Sequence, residues 1–293
     1  MKTIQWFPGH MTKAMRMMQE NLSLVDGIIF VLDARCPAAS FNPKLKKLAN
    51  NKPVLYVLNK GDLADGRADA LLNIIRKKGA EAVKINAVNF NSKRDITGAI
   101  EKLVAEKRAK ALERGYNKTF RFMVAGVPNT GKSTLINLLA GSRRAETGDK
   151  AGVTRGKQWI RCDSFELLDT PGTMPPAFEN QYLAAHLAFV GSINDDILDL
   201  DDIALLLLKE MQQKYPERLK ERYGIECGTS SDLNCGITPV EMLDAVCEKR
   251  GFKLRGGDYD YERAIRAVID DFRKGKLGKI TLDVAADLEG LEF

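Results

Sequence analysis

Residues 121–140, Arg121-Phe122-Met123-Val124-Ala125-Gly126-Val127-Pro128-Asn129-Thr130-Gly131-Lys132-Ser133-Thr134-Leu135-Ile136-Asn137-Leu138-Leu139-Ala140, decide the fold. An apolar run, Arg121–Val127, has the character of a buried parallel strand and feeds a glycine-containing turn. An amphipathic helix with Leu135, Ile136, Leu138 and Leu139 leaves it. The turn from Gly126 to Ser133 fits GxxxxGK[ST], in the strand–turn–helix setting the motif requires. Glycines let backbone amides turn inward around phosphates, and a helix start adds a favourable dipole. Asn129, Thr130, Gly131, Lys132, Ser133 and Thr134 are therefore expected around the phosphates. Lys132 should reach the β- and γ-phosphates and assist catalysis, and the Ser133 hydroxyl should bind Mg²⁺.

Working outward, Asp169-Thr170-Pro171-Gly172 ends a second apolar run, Phe165–Asp169, and fits DxxG. Asp169 can hold Mg²⁺ through water, and the Gly172 amide can sense the γ-phosphate. Between the two motifs lies Gly152-Val153-Thr154-Arg155-Gly156, where Thr154 is the natural switch threonine for the Mg²⁺ shell. On the other side, the run Pro53–Asn59 ends in Asn59-Lys60-Gly61-Asp62, which fits NKxD. Asp62 can accept two hydrogen bonds from the N1–N2 edge of guanine. Adenine presents no such pair, and the unpaired acceptor costs at least ~1–3 kcal/mol. Lys60 should pack its stem over the base. Ile85-Asn86-Ala87 ends the next run where a GTPase puts its SA[KL] loop, with Asn86 in place of serine and the Ala87 amide facing the guanine oxygen.

The base motif precedes the phosphate loop, whereas in ordinary small GTPases it follows. That order is a circular permutation, which a domain with neighbouring ends tolerates. Strands Gly27–Asp33, Pro53–Asn59, Ala82–Asn86 and Arg121–Val127, a pair at Lys157–Cys162 and Phe165–Asp169, and helices at Ala68–Lys78 and Thr97–Arg114 predict a doubly wound α/β sheet. The permuted Ras-like domain should span 1–178. After Pro175-Pro176 the pattern becomes helical. Thr238-Pro239-Val240-Glu241 is a capping box, and Tyr261, Ala264, Ile265, Val268, Ile269 and Phe272 share one helix face. A small all-helical domain is expected over 179–293.

The 293 residues are 44% hydrophobic and 29% charged, which fits a globular protein and excludes a disordered one. The longest apolar run, Ile203–Leu208, is too short to span a membrane, and no apolar leader segment follows Met1. Five cysteines without a CxxC spacing argue against a zinc knuckle or disulfide framework, so a reduced, cytoplasmic protein is expected. Charge is split. Residues 1–178 hold 30 Lys/Arg against 16 Asp/Glu, a net of +14, and the remainder nets −8. The first segment suits a polyanion. Arg143, Arg144, Arg155, Lys157 and Arg161 surround the switch loop; Arg35, Lys44, Lys46 and Lys47 flank Cys36–Asn42; Arg263, Arg266, Arg273, Lys274, Lys276 and Lys279 form a basic stretch in the acidic tail. Without an RNP motif or aromatic series, any RNA contact should read shape rather than sequence.

Trp6-Phe7-Pro8-Gly9-His10-Met11, AGVPNTGKS, GVTRG, DTPG, NKGDL and the acidic helical tail resemble the circularly permuted GTPases, most closely the ribosome biogenesis GTPase A group (YlqF/RbgA). The resemblance covers nearly the whole chain. It implies a cytoplasmic enzyme that binds GTP and GDP and hydrolyses GTP. It would act late in maturation of the large (50S) ribosomal subunit, with precursor rRNA and proteins as partners and no membrane or oligomer required. Ras-type enzymes orient water with a glutamine after DxxG. Here Thr173 and Met174 follow, and neither can do so. The permutation puts the Met11–Val25 stretch, with Met11, Met15, Met18, Leu22 and Val25 at helical spacing, in the switch II position. Its start, His10, becomes the candidate for the attacking water, and the resemblance points to the same histidine. The resemblance also implies a K⁺ ion at Asn129. Two other readings remain: a non-ribosomal GTP-dependent switch binding a protein, and an RNA-binding scaffold with structural nucleotide.

Overall fold

The structure, a computed structural model, describes residues 4, 9–49, 51–141, 158–175, 178–227 and 236–293. Apolar residues on both faces of the strands build its centre. In β1 (Gly27–Asp33) all seven residues are buried: Ile28, Phe30 and Leu32 pack on one face, Ile29 and Val31 on the other. With β2 (Val54–Asn59), β3 (Glu81–Lys84), β4 (Phe120–Ala125), β5 (Gln158–Arg161) and β6 (Phe165–Asp169) it forms one sheet in the order β3-β2-β1-β4-β6-β5. Every neighbouring pair is parallel except β5 and β6.

Helices α1 (Gly9–Asn21), α2 (Pro37–Ser40), α3 (Pro43–Ala49) and α4 (Arg67–Lys77) lie before β3, and α5 (Ser92–Glu113) and α6 (Lys132–Ala140) after it. Met18, Leu45, Leu71 and Ile75 cover one face of the sheet; Ile100, Val104, Leu135 and Leu139 cover the other. The chain runs outward from β1 toward β3 on one side and from β4 toward β5 and β6 on the other. The β1–β4 boundary is therefore the topological switch point, where open α/β sheets bind ligands beyond the strand carboxyl ends.

Several boundaries differ from the pattern reading. α5 starts at Ser92 rather than Thr97, because the Asn89–Asn91 turn already bonds into it. β3 stops at Lys84, leaving Ile85-Asn86-Ala87 as loop. The Met11–Val25 stretch is α1 followed by a 3₁₀ turn at Leu22–Leu24. The Cys36–Asn42 loop contains α2, started by Pro37 at its first position.

Beyond residue 178 the described residues form no strand. Helices α7 (Gln181–Phe189), α8 (Leu200–Lys214), α9 (Pro216–Tyr223), α10 (Pro239–Arg250) and α11 (Tyr261–Arg273) share a core. The Thr238 box is present: Thr238 Oγ1 accepts from Glu241 N at 3.2 Å and Glu241 Oε2 accepts from Thr238 N at 2.6 Å. Ile4, Met11, Cys36, Ala39, Val127 and Met174 join this helical core, so apolar packing runs continuously into the sheet half. After α11 the chain returns to the sheet. Leu288 is buried on the β1 and β2 face, and the Phe293 ring lies 4.7 Å from Phe41 and 5.2 Å from Tyr56.

Candidate active site

At the carboxyl end of β4 the chain makes a tight loop into α6. Gly126 has φ 150° and Gly131 φ 90°. A Cβ on Gly126 would run into the Val31 carbonyl, and one on Gly131 into the Asn59 amide, so packing and backbone conformation both demand glycine. Asn129 takes φ 59°, the left-handed region that asparagine tolerates best after glycine. Thr130 Oγ1 donates to Val127 O at 3.1 Å, and Lys132 Nζ to the same carbonyl at 2.8 Å. Burial pulls the Lys132 ammonium down to about 8, opposed by Asp169 and reinforced by Lys60. Ser133 and Thr134 sit half-buried in the first turn of α6.

Asn59, at the end of β2, ties three loops together. Its Nδ2 donates to Thr130 O and its Oδ1 accepts from Ala87 N, both at 2.9 Å. The Ala87 amide, expected to meet a guanine oxygen, is thus already given to Asn59, and a second acceptor there would share it. Lys60 also does more than lay its stem over a base. Its Nζ donates to Asn129 O at 2.6 Å and pairs with Asp33 at 3.0 Å. Asn86 folds its own loop, its Oδ1 accepting from Val88 N at 2.9 Å. Asp62 stands exposed beyond Gly61, whose amide donates to Ile85 O at 2.8 Å.

Asp169 is buried at the end of β6, in register with Val124, two residues before Gly126. Thr173 N donates to Gly126 O at 3.2 Å, and a Cβ on Gly172 would lie 2.8 Å from Pro128 Cα. The DTPG turn and the phosphate loop thus pack backbone against backbone. Ser133 and Asp169 offer oxygen donors, the set a hard divalent cation takes. Thr154 lies outside the described residues, as do Arg143, Arg144, Arg155 and Lys157.

The Thr173 side chain is fully buried and its hydroxyl has no hydrogen-bond partner among the described residues, so it does not reach solvent beside the site. Met174 N donates to Met11 Sδ at 3.4 Å, which brings the first turn of α1 against the segment following DTPG. The His10 backbone belongs to that turn; its side chain lies outside the described part.

The pattern reading missed the role of Asp33-Ala34-Arg35. Arg35 belongs to the basic group flanking Cys36–Asn42, which the sequence leaves open to solvent or to RNA. It is instead buried, its Nε and Nη2 donating to Asp33 at 2.9 and 2.8 Å. Burial alone would raise the Asp33 carboxyl, but the charges and hydrogen bonds of Arg35 and Lys60 hold it well below the usual carboxylate range. The signal was present: an Asp–x–Arg pair closing a wholly apolar central strand has no water to face. The basic stretch of the tail is also largely engaged. Arg273 pairs with Asp195 at 2.7 Å, Lys274 with Asp270 at 2.8 Å and Arg266 with Glu262 at 3.1 Å. Lys44, Lys47 and Lys279 are exposed.

Wound in this order, the sheet brings the phosphate loop, DTPG and NKGD to one edge in the arrangement of a Ras-like domain whose chain starts elsewhere: the class is the circularly permuted P-loop GTPase. The model of the 50S ribosome-binding GTPase family matches residues 121–225. A ribosome biogenesis GTPase A from Bacillus cereus is 43% identical, over 96% of this chain and 93% of its own length. Another, from Thermotoga maritima, is 30% identical, over 97% and 96% respectively. The solved structure of GNP-bound YlqF from T. maritima is similar with a TM-score of 0.63 at 26% identity, covering 93% of this chain and 98% of that one. The chain belongs to the ribosome biogenesis GTPase A family, and is a GTPase. No helix among the described residues is long and apolar enough to cross a membrane.

Proposed function

We propose that this GTPase acts late in maturation of the large ribosomal subunit in the cytoplasm, binding the precursor in its GTP form and leaving after hydrolysis. The observation that carries the reading is the hydrogen bonding of NKGD, SA-like loop and phosphate loop through Asn59, which supports a single guanine nucleotide spanning them. Asp62 reads the base edge, with Asn59, Lys60, Asn86 and Ala87 shaping its pocket. The amides from Asn129 to Thr134, with Lys132, hold the phosphates, and Gly172 senses the third. Ser133, Asp169 and Thr154 hold Mg²⁺, which supplies charge neutralisation on the β- and γ-phosphates. Asn129 takes part in a K⁺ site, and His10 orients the attacking water.

The net +14 of residues 1–178 favours contact with ribosomal RNA phosphates, and the particle stimulates turnover. Residues 179–293 supply most of the affinity for the particle. Cosedimentation with large-subunit particles tests the reading: binding tightened by a non-hydrolysable GTP analogue over GDP supports it. Equal partition in both nucleotide states contradicts it and leaves a non-ribosomal switch or a scaffold with structural nucleotide.

A further inference from the structure

The end of α7 touches the phosphate loop directly. Gly191, at φ 76°, closes the helix with its amide on Ala188 O at 3.0 Å, and Ser192 N follows onto Leu187 O at 2.8 Å. Just past this cap, the buried Ser192 Oγ donates to Pro128 O at 2.8 Å. The Gly191 carbonyl accepts from Asn129 Nδ2 at 2.6 Å. Lys60 Nζ also donates to Asn129 O, and a Cβ on Gly172 would meet Pro128. Two consecutive loop residues are therefore held by the helical tail as well as by the NKGD and DTPG loops.

We propose that Ser192, acting with the Gly191 carbonyl, is a positioning residue of the nucleotide site: the helical tail sets the shape of the phosphate loop. Asn129 holds a left-handed backbone, which is unfavourable for a residue with a Cβ. Bonds to its side chain and carbonyl offset that cost. Both Ser192 and Gly191 land on the turn whose amides must face the phosphates, rather than on a strand or helix. Their loss lets the turn relax and misaligns those amides.

The grip extends to α11. Arg273, its last residue, donates to Ala188 O at 2.9 Å and Phe189 O at 3.1 Å and pairs with Asp195 at 2.7 Å. A Cβ on Gly191 would lie 3.1 Å from its Nε, so the guanidinium lies directly against the cap. Arg273 thus braces the Gly191 cap from which both bonds to the loop are made, and a partner that shifts α11 alters nucleotide affinity.

This inference rests on the phosphate-loop assignment, and the test separates the two. Affinity for fluorescent mant-GDP is measured on the full chain, per binding-competent molecule, together with the melting temperature. Ser192→Ala should weaken binding about fivefold, the loss of one hydrogen bond. Ser192→Thr should restore it. Arg273→Lys should also weaken binding, and the double variant with Ser192→Ala should lose less than the sum of the two single losses. A lower melting temperature with unchanged affinity in Ser192→Ala would make the serine mere packing and overturn the proposal. Fully additive losses would overturn the route through Arg273. Failure of the wild type to bind mant-GDP would overturn the phosphate-loop assignment and the proposal with it.

Discussion

Asp62 and His10 carry the sharpest expectations at the scale of single residues. Asp62 is exposed at the rim of the NKGD turn, free to meet a base edge. Asp62→Asn replaces an acceptor with a group that also donates. GTP affinity should fall by at least tenfold and XTP should become the better ligand in competition binding; unchanged GTP affinity with no gain for XTP would disprove the base-site assignment. His10 lies in the first turn of α1, whose Met11 sulfur is 3.4 Å from Met174 N, while Thr173, where a glutamine would stand, is buried. His10→Ala should leave GTP affinity nearly unchanged and slow particle-stimulated hydrolysis by about ten- to a thousand-fold, ~1.4–4 kcal/mol. A wild-type rate at saturating particle would remove His10 from the chemistry. The motifs behind these predictions were legible because each is local: glycine conformations and charged groups within a few residues of chain. Ser192 was not legible, since its partner Pro128 is 64 residues away and a serine after a helix looks like any surface polar residue.

Between elements, the second histidine matters most. His186 on α7 is fully buried, with Nδ1 2.7 Å from Asp283 Oδ1 and Nε2 2.9 Å from Glu210 Oε1 on α8. Asp283 Oδ2 also accepts from Ala38 N at 2.6 Å and Ala39 N at 3.1 Å, so the cluster joins the tail to the start of α2. Burial would lower the imidazole, but the two carboxylates prevail and raise it to about 9. A group raised in the folded state stabilises fully below its unfolded value near ~6.5. That contribution, at most about 3 kcal/mol, is lost as pH rises toward and through the folded value. Denaturant midpoints should therefore fall between about pH 6.5 and 9, and the fall should flatten in His186→Gln. A midpoint independent of pH in the wild type would show that the imidazole is not charged in the fold. The sequence offers no local signature for this pairing, since the Asp283 carboxylate lies 97 residues from His186.

For the whole molecule, apolar packing crosses the boundary expected at residue 178. Residues of both halves meet in two of the apolar clusters, and the last residues fold back on the sheet. Deleting 285–293 removes the buried Leu288 and the Phe293 ring from beside Phe41 and Tyr56. Thermal unfolding should show a loss of about 2–4 kcal/mol, the transfer of two large apolar side chains; an unchanged melting temperature would mean that the tail end adds nothing to the sheet. The doubly wound sheet was legible because strand and helix patterns alternate along the sequence. The shared clusters were not, since apolar helix faces do not say which surface they cover. The account stands most directly on turnover of GTP by the purified full chain, measured with Mg²⁺ in the presence and absence of large-subunit particles and with ATP as the control nucleotide. It predicts GTP hydrolysis that rises with particle concentration and no comparable ATP hydrolysis; no GTP hydrolysis above background at saturating particle, or equal use of ATP, would contradict it.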